Sequence, residues 1–171
     1  AFTDGDQVKA ERLTRQNYNS EVPYEGCREY PFRFGRFTTM GEFYVETGLN
    51  IIGMSDYKRI LSLDSAMAVV QFKKDDVAYQ RNYFISYPAN VLVMRFSADR
   101  PGKQNLIFSY APNPVSTGSM VAQGDNGLVY SAALDNNGMK YVVRIQAETK
   151  GGTLVNRNGK LTVKGADEVV F

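Results

Sequence analysis

Three pairs of turn residues divide the last third of this chain into short runs, and they limit its fold more than any other feature. Asn158-Gly159 lies between Leu154-Val155 and Leu161-Thr162-Val163, and Asn137-Gly138 lies between Leu128 to Leu134 and Met139 to Ala147. Both dipeptides favour the positive φ angles of a tight hairpin. Gly151-Gly152 supplies the turn between the two hairpins. Runs this short, reversed this sharply, pair as antiparallel strands.

The middle of the chain shows the same period. Ala66, Ala68, Val70 and Phe72 share one parity, and Val77, Tyr79, Tyr83 and Ile85 share another across the polar turn Lys73-Lys74-Asp75-Asp76, which predicts a long hairpin. Val91 to Phe96 is apolar on both parities, as a strand buried on two faces would be. Arg100-Pro101-Gly102 ends the following segment, and Leu106 to Tyr110 leads into Pro112 and Pro114, where proline interrupts the ladder. Roughly eight to ten strands result, and the expected class is all-β: an antiparallel β-sandwich.

Only the opening departs from this pattern. Asp4-Gly5-Asp6-Gln7 has the spacing of a helix start, with Asp4 as the cap and Gln7 reaching back. Val8 to Gln16 reads as one short, exposed helix with a thin apolar face at Val8 and Leu13. Pro23, Gly26, Pro31 and Gly35 then punctuate an aromatic loop, Tyr24 to Phe37. At the other end, Ala166 to Phe171 reads as an apolar strand with no cap or polar tail, which would leave a flat edge exposed. With Ala1 in place of Met and no leader before Phe2, this predicts a single domain, residues 1–171, truncated from a larger protein.

Composition removes several kinds of chemistry. Twenty basic and eighteen acidic residues leave a net charge of +2 with no basic stripe, so a nucleic-acid partner is not expected. The longest apolar runs are only a few residues, too short to span a membrane. There is no histidine, which excludes histidine-based nucleophile systems, His-ligated zinc and histidine general bases from this segment. The single cysteine, Cys27, has no histidine to activate it and reads as a packing residue, although Arg28 flanks it. No lysine has a glycine-rich phosphate loop near it, and no cofactor or metal is called for.

The remaining candidates are carboxylates and aromatics. Asp4 and Asp6 read as helix-start residues, Asp75-Asp76 as turn formers, and Asp125 and Asp135 as companions of Gly127 and Gly138. None of them forms a credible glycosidic acid and base pair. The aromatic loop also carries Arg28, Arg33 and Arg36, and such a set can stack on sugar faces and hold hydroxyls, or simply pack the loop onto the sandwich.

One stretch goes further. Tyr57-Lys58-Arg59-Ile60-Leu61-Ser62-Leu63-Asp64-Ser65-Ala66 resembles the Tyr-x-Arg-x-Leu-x-Leu-Asp-x-Ala signature of the N-terminal β-sandwich domain in glycoside hydrolase family 95, the α-L-fucosidase-like enzymes. Tyr79 to Ser86 and Pro88 to Gly102 follow in the same order, while Phe37 to Val45 is similar to an upstream family strand, with Met40 and Glu42 as departures. The resemblance implies a supersandwich-like domain ahead of a linker and an (α/α)6 barrel. That barrel would carry the catalytic groups for inverting hydrolysis of terminal α-linked L-fucose or L-galactose. No catalytic residue can be carried onto any position of this chain. Its implied partners are the parent's own barrel and a fucosylated glycan, and its implied location is extracellular or periplasmic. Tyr30, Arg33 and Phe34 are the residues expected to touch barrel or glycan. The alternative is a standalone carbohydrate-binding or structural sandwich.

Overall fold

The computed structural model describes residues 5–18, 39–135 and 138–171. They belong to two compact units that divide between Thr39 and Met40. The loop Tyr24 to Phe37, with Cys27, Tyr30, Arg33 and Phe34, lies outside the described residues, as do Asp4 and Asn137.

In the first unit the described element is α1 (Gln7–Tyr18). Its cap is Asp6, whose carboxylate accepts the Lys9 backbone N–H at 2.9 Å. Asp6 and Lys9 have the three-residue spacing of a cap and its orphan donor. The cap thus falls two residues later than the expected Asp4. The covered side also differs from the expected one, because Ala10 is buried while Val8 and Leu13 are exposed. Among the described residues no helix is long and apolar enough to cross a membrane.

The described residues of the second unit form thirteen strands. In chain order they begin with β1 (Gly41–Glu46), β2 (Ser55–Ser62), β3 (Met67–Lys74), β4 (Val77–Ser86), β5 (Val91–Ala98) and β6 (Gln104–Pro112). There follow β7 (Ser116–Gln123), β8 (Gly127–Leu134), β9 (Lys140–Gln146) and β10 (Glu148–Lys150). The last are β11 (Thr153–Arg157), β12 (Lys160–Ala166) and β13 (Glu168–Val170). They form a four-stranded sheet in the order β1-β6-β12-β11, a six-stranded sheet β10-β13-β5-β4-β3-β2 and a three-stranded sheet β7-β8-β9.

The predicted hairpin is β3 and β4, with Phe72 opposite Tyr79 and Ala68 opposite Tyr83. Its turn is tighter than the four residues expected. Lys73 and Lys74 remain in the ladder, and only Asp75 and Asp76, at φ 49° and 58°, make the reversal. Asn158 and Gly159 turn β11 into β12 with the paired positive φ of a two-residue hairpin.

Alternation on β6 builds the sandwich. Leu106, Phe108 and Tyr110 all point inward. Phe108 and Tyr110 share a core with Leu128 and Tyr130 of β8, Val143 and Ile145 of β9, and Leu161 of β12. Leu106 shares another with Phe96 of β5, Val163 of β12 and Val169 of β13. One face of the four-stranded sheet therefore covers both of the others, and the protein is an all-β sandwich whose second layer has two parts. Those parts are joined through Ala147, fully buried, which links β9 directly to β10.

Three expectations are corrected here. Thirteen strands replace the roughly eight to ten expected, partly because β10 and β13 are only three residues long. Val91 to Phe96 is not buried on two faces, since Val91 and Leu92 are exposed and only Phe96 is buried, where the four-stranded sheet reaches it. Finally, the terminal strand leaves no bare edge. After a register shift between Val163 and Ala166 the chain crosses at Asp167 from one sheet to another. There β13 is inserted between β10 and β5. Phe171 then exchanges two backbone hydrogen bonds with Met94 and stacks on Phe108 at 4.6 Å.

Candidate interaction surface

Several of the described carboxylates hold neighbouring strands and turns together. Asp99 accepts the Ala78 N–H at 2.9 Å and Asp167 accepts the Gly102 N–H at 2.7 Å. Asp135 accepts the Thr117 hydroxyl, and Asp56 pairs with Lys73. Asp75 and Asp76 form a turn, and Asp125 lies in the turn between β7 and β8. Among the described residues no cluster of three or more acidic, Cys or His side chains could hold a metal ion.

The ion pair of Arg95 with Glu168 ties β5 to β13 across the sheet, with 2.5 Å between Nη2 and Oε2. The hydrogen bond from Arg95 holds the Glu168 carboxyl below its usual range, against the opposing effect of burial. A carboxyl whose folded pKa is depressed adds stability above its unfolded value of about 4.3 and loses it as pH falls through the folded one. Both side chains are part-exposed, so solvent screening keeps the contribution within about 1 kcal/mol. Glu168→Gln is therefore expected to destabilise slightly at pH 7 and not at all near pH 3, measured by urea unfolding at both. An equal loss at the two pH values would show that the ion pair contributes nothing.

The six-stranded sheet has one face that is closed at one end and open at the other. Cross-strand register places Leu61, Ala68, Tyr83 and Met94 in one row, with Ile85 opposite Leu92 in the row beyond. At the closed end of this face, Phe72, Val77 and Tyr79 are buried with Leu49 and Met54 against them. At the open end Leu61 is 70% exposed, Ile85 73% and Leu92 46%. Leu63 and Tyr87, in the turns at this end, are also exposed. Single exposed apolar side chains need no explanation, but a contiguous set on one sheet face marks a binding surface. Since β2 is the last strand of its sheet, its outer backbone groups extend this surface at the edge.

The residues that carry the family resemblance lie here. Tyr57, Arg59, Leu61 and Leu63 are all exposed, so no core among the described residues accounts for them. The sequence pattern puts Ile85 on the apolar parity of a hairpin and Leu92 in a strand expected to be buried on two faces. The available signal was Val91 to Phe96, apolar on both parities, because a side chain that will meet a partner is chemically the same as one that meets the core. Tyr30, Arg33 and Phe34, the contact residues expected from sequence, lie outside the described residues.

Comparison with known proteins adds two findings. A family model described as the N-terminal domain of glycosyl hydrolase family 65 matches residues 1–171. A protein of Aspergillus niger named "Probable alpha-fucosidase A" is 28% identical over 131 residues, covering 73% of this chain. The chain spans 16% of that relative's length. The matched family is numbered 65 where the sequence resemblance points to 95. An N-terminal domain of a glycoside hydrolase is common to both.

Proposed function

Because the chain belongs to the family of glycosyl hydrolase family 65 N-terminal domains, we propose that it is the non-catalytic supporting domain of a longer α-L-fucosidase-like glycosidase. The parent enzyme removes terminal α-linked L-fucose, or the related L-galactose, from glycans with inversion. Its catalytic groups lie in a separate (α/α)6 domain. The name of the Aspergillus relative supports the sugar, and the signature at Tyr57 to Ala66 supports the finer assignment to family 95. An extracellular or periplasmic location follows from the substrate.

The observation that carries this reading is the open apolar face at Leu61, Ile85 and Leu92. Its occupant is the catalytic domain of the same polypeptide. The relative has most of its length outside the matched stretch. Covering this face removes apolar surface from water at both partners.

The test is made in the full-length protein. Wild type should hydrolyse p-nitrophenyl α-L-fucoside and release β-L-fucose first, as followed by proton NMR, while the isolated 171-residue chain should be inactive. Leu61→Asp combined with Ile85→Asp should leave the isolated chain's stability within about 0.5 kcal/mol of wild type, because both side chains face water there. In the full-length enzyme the same pair should speed thermal inactivation by about tenfold or more, as loss of a central interface residue does. A doubly substituted enzyme as heat-stable as wild type would remove the docking face, and failure to cleave any α-L-fucoside would remove the substrate.

A further inference from the structure

A second feature lies on the opposite end of the same sheet face and is independent of the docking surface. Gln104 opens β6 on the inward parity of Leu106 and Phe108, only 4% exposed, and its Nε2 has no hydrogen-bond partner among the described residues. A buried donor left without a partner is rare enough to call for an explanation. It lines a small cleft, open to solvent on one side, together with Thr47, Tyr79, Arg81, Phe96 and Lys103. The enclosed part has room for one water-sized group.

Arg81 lies beside it on β4, opposite Phe96 of β5. Its guanidinium sits over two rings, 5.1 Å from the centroid of Phe72 and 5.7 Å from that of Phe96. A guanidinium placed over ring faces keeps its N–H edge as its polar surface. Among the described residues neither Arg81 nor Lys103 has a carboxylate partner. Among the described residues no Asp or Glu lines the cleft. The carboxylates that act on Tyr79, Asp75 and Asp99, belong to the turn side, and Asp99 is already engaged by the Ala78 N–H.

We propose that this cleft is a small-anion site, taking a halide-sized ion between the Gln104 carboxamide N–H, the Arg81 guanidinium and the Lys103 ammonium. The described lining brings one unpaired buried donor together with two cations that have no carboxylate partner, which favours an acceptor that carries negative charge. A water molecule would satisfy Gln104 and leave both cations unpaired. A sugar ring is too large for the enclosed part and would meet few acceptors. Aromatic ring edges, which are electropositive, are compatible with an anion beside Phe96 and Tyr79.

The test uses bromide in place of chloride as an anomalous scatterer, together with chloride-35 NMR in solution. Crystals of the protein grown in bromide should show an anomalous peak within hydrogen-bonding distance of Gln104 Nε2 and Arg81. Titration of wild type with chloride at constant ionic strength should give saturable line broadening. Arg81→Gln should weaken it by about tenfold or more. Gln104→Leu, which removes the unpaired donor and is expected to fold, should also weaken it, while Arg157→Gln on the exposed strand β11 should not. A water in the cleft without a bromide peak, an adventitious ion only (a peak at crystal concentration with no saturable broadening), or broadening unchanged in Gln104→Leu would each overturn the proposal.

Discussion

Truncating Phe108 to alanine is expected to cost about 4 kcal/mol, the largest single loss available in this sandwich. Phe108 is 1% exposed on β6, a strand paired on both sides, and it belongs to the core that joins the four-stranded and three-stranded sheets. Its ring stacks on Phe171 at 4.6 Å and meets Phe43 at 5.8 Å. The substitution therefore removes a full aromatic side chain and leaves a void between rigid layers that cannot collapse to fill it. Against a total stability of about 5–15 kcal/mol this is a large fraction. Urea unfolding followed by tyrosine fluorescence measures it, and Ile107→Ala, on the opposite face of the same strand, serves as comparison. A loss below about 1.5 kcal/mol at Phe108 would mean that the layers do not close over it.

The second large effect is at Gly152. This residue has φ +65°, and a Cβ there would lie 2.4 Å from the Lys164 carbonyl oxygen, 2.5 Å from the Ala166 nitrogen and 2.6 Å from the Gly165 carbonyl carbon. All three are backbone atoms, and they belong to the stretch of β12 where the register shifts. They cannot rotate out of the way as a flexible side chain would. Gly152→Ala should therefore cost about 3 kcal/mol, combining left-handed strain with overpacking. Gly165→Ala separates the two contributions. Gly165 has nearly the same φ, +63°, but nothing within 4 Å of its Cβ position, so it should cost only about 1 kcal/mol. Equal losses at the two glycines would show that strain alone matters.

The parts of the fold that were legible in the sequence are those fixed by local chemistry. Phe72 opposite Tyr79 follows from period-two alternation, and the reversal at Asn158-Gly159 follows from the residues that accept positive φ. The strand β7 carried no such signal. Its sequence Ser-Thr-Gly-Ser-Met-Val-Ala-Gln does not alternate, and its pairing with β8 is what makes it a strand. The helix start was ambiguous because Asp4 and Asp6 both have a capping side chain, and a residue count of two separates the alternatives. The fate of Val169 was hidden for a different reason. Whether a short apolar strand ends at an edge or lies between two others depends on pairing with Ser97 to Arg95, more than seventy residues away in sequence, which no local pattern encodes.

The same non-locality obscured the candidate surface. Leu61, Ile85 and Leu92 satisfy every criterion for core residues except being covered, and coverage is a property of the second sheet's extent. Gln104 and Arg81 gave no signal at all, since a glutamine at a strand start and an arginine within a strand are unexceptional until a cross-layer cleft puts them side by side.

The placement of β13 between β10 and β5 has a bearing on biosynthesis. The hairpins β3-β4 and β7-β8 can pair as soon as they leave the ribosome, because their partners are consecutive in the chain. Val169 cannot take its place beside Phe96 until the final codons of this segment have been read, and until then β5 and β10 have no strand between them. The nascent protein must therefore wait with an open seam along one layer, and the three residues of β13 are those that seal it. A ribosome paused before that point holds a chain with its turns made and its two-layered core unclosed, which is the species a chaperone would be expected to recognise.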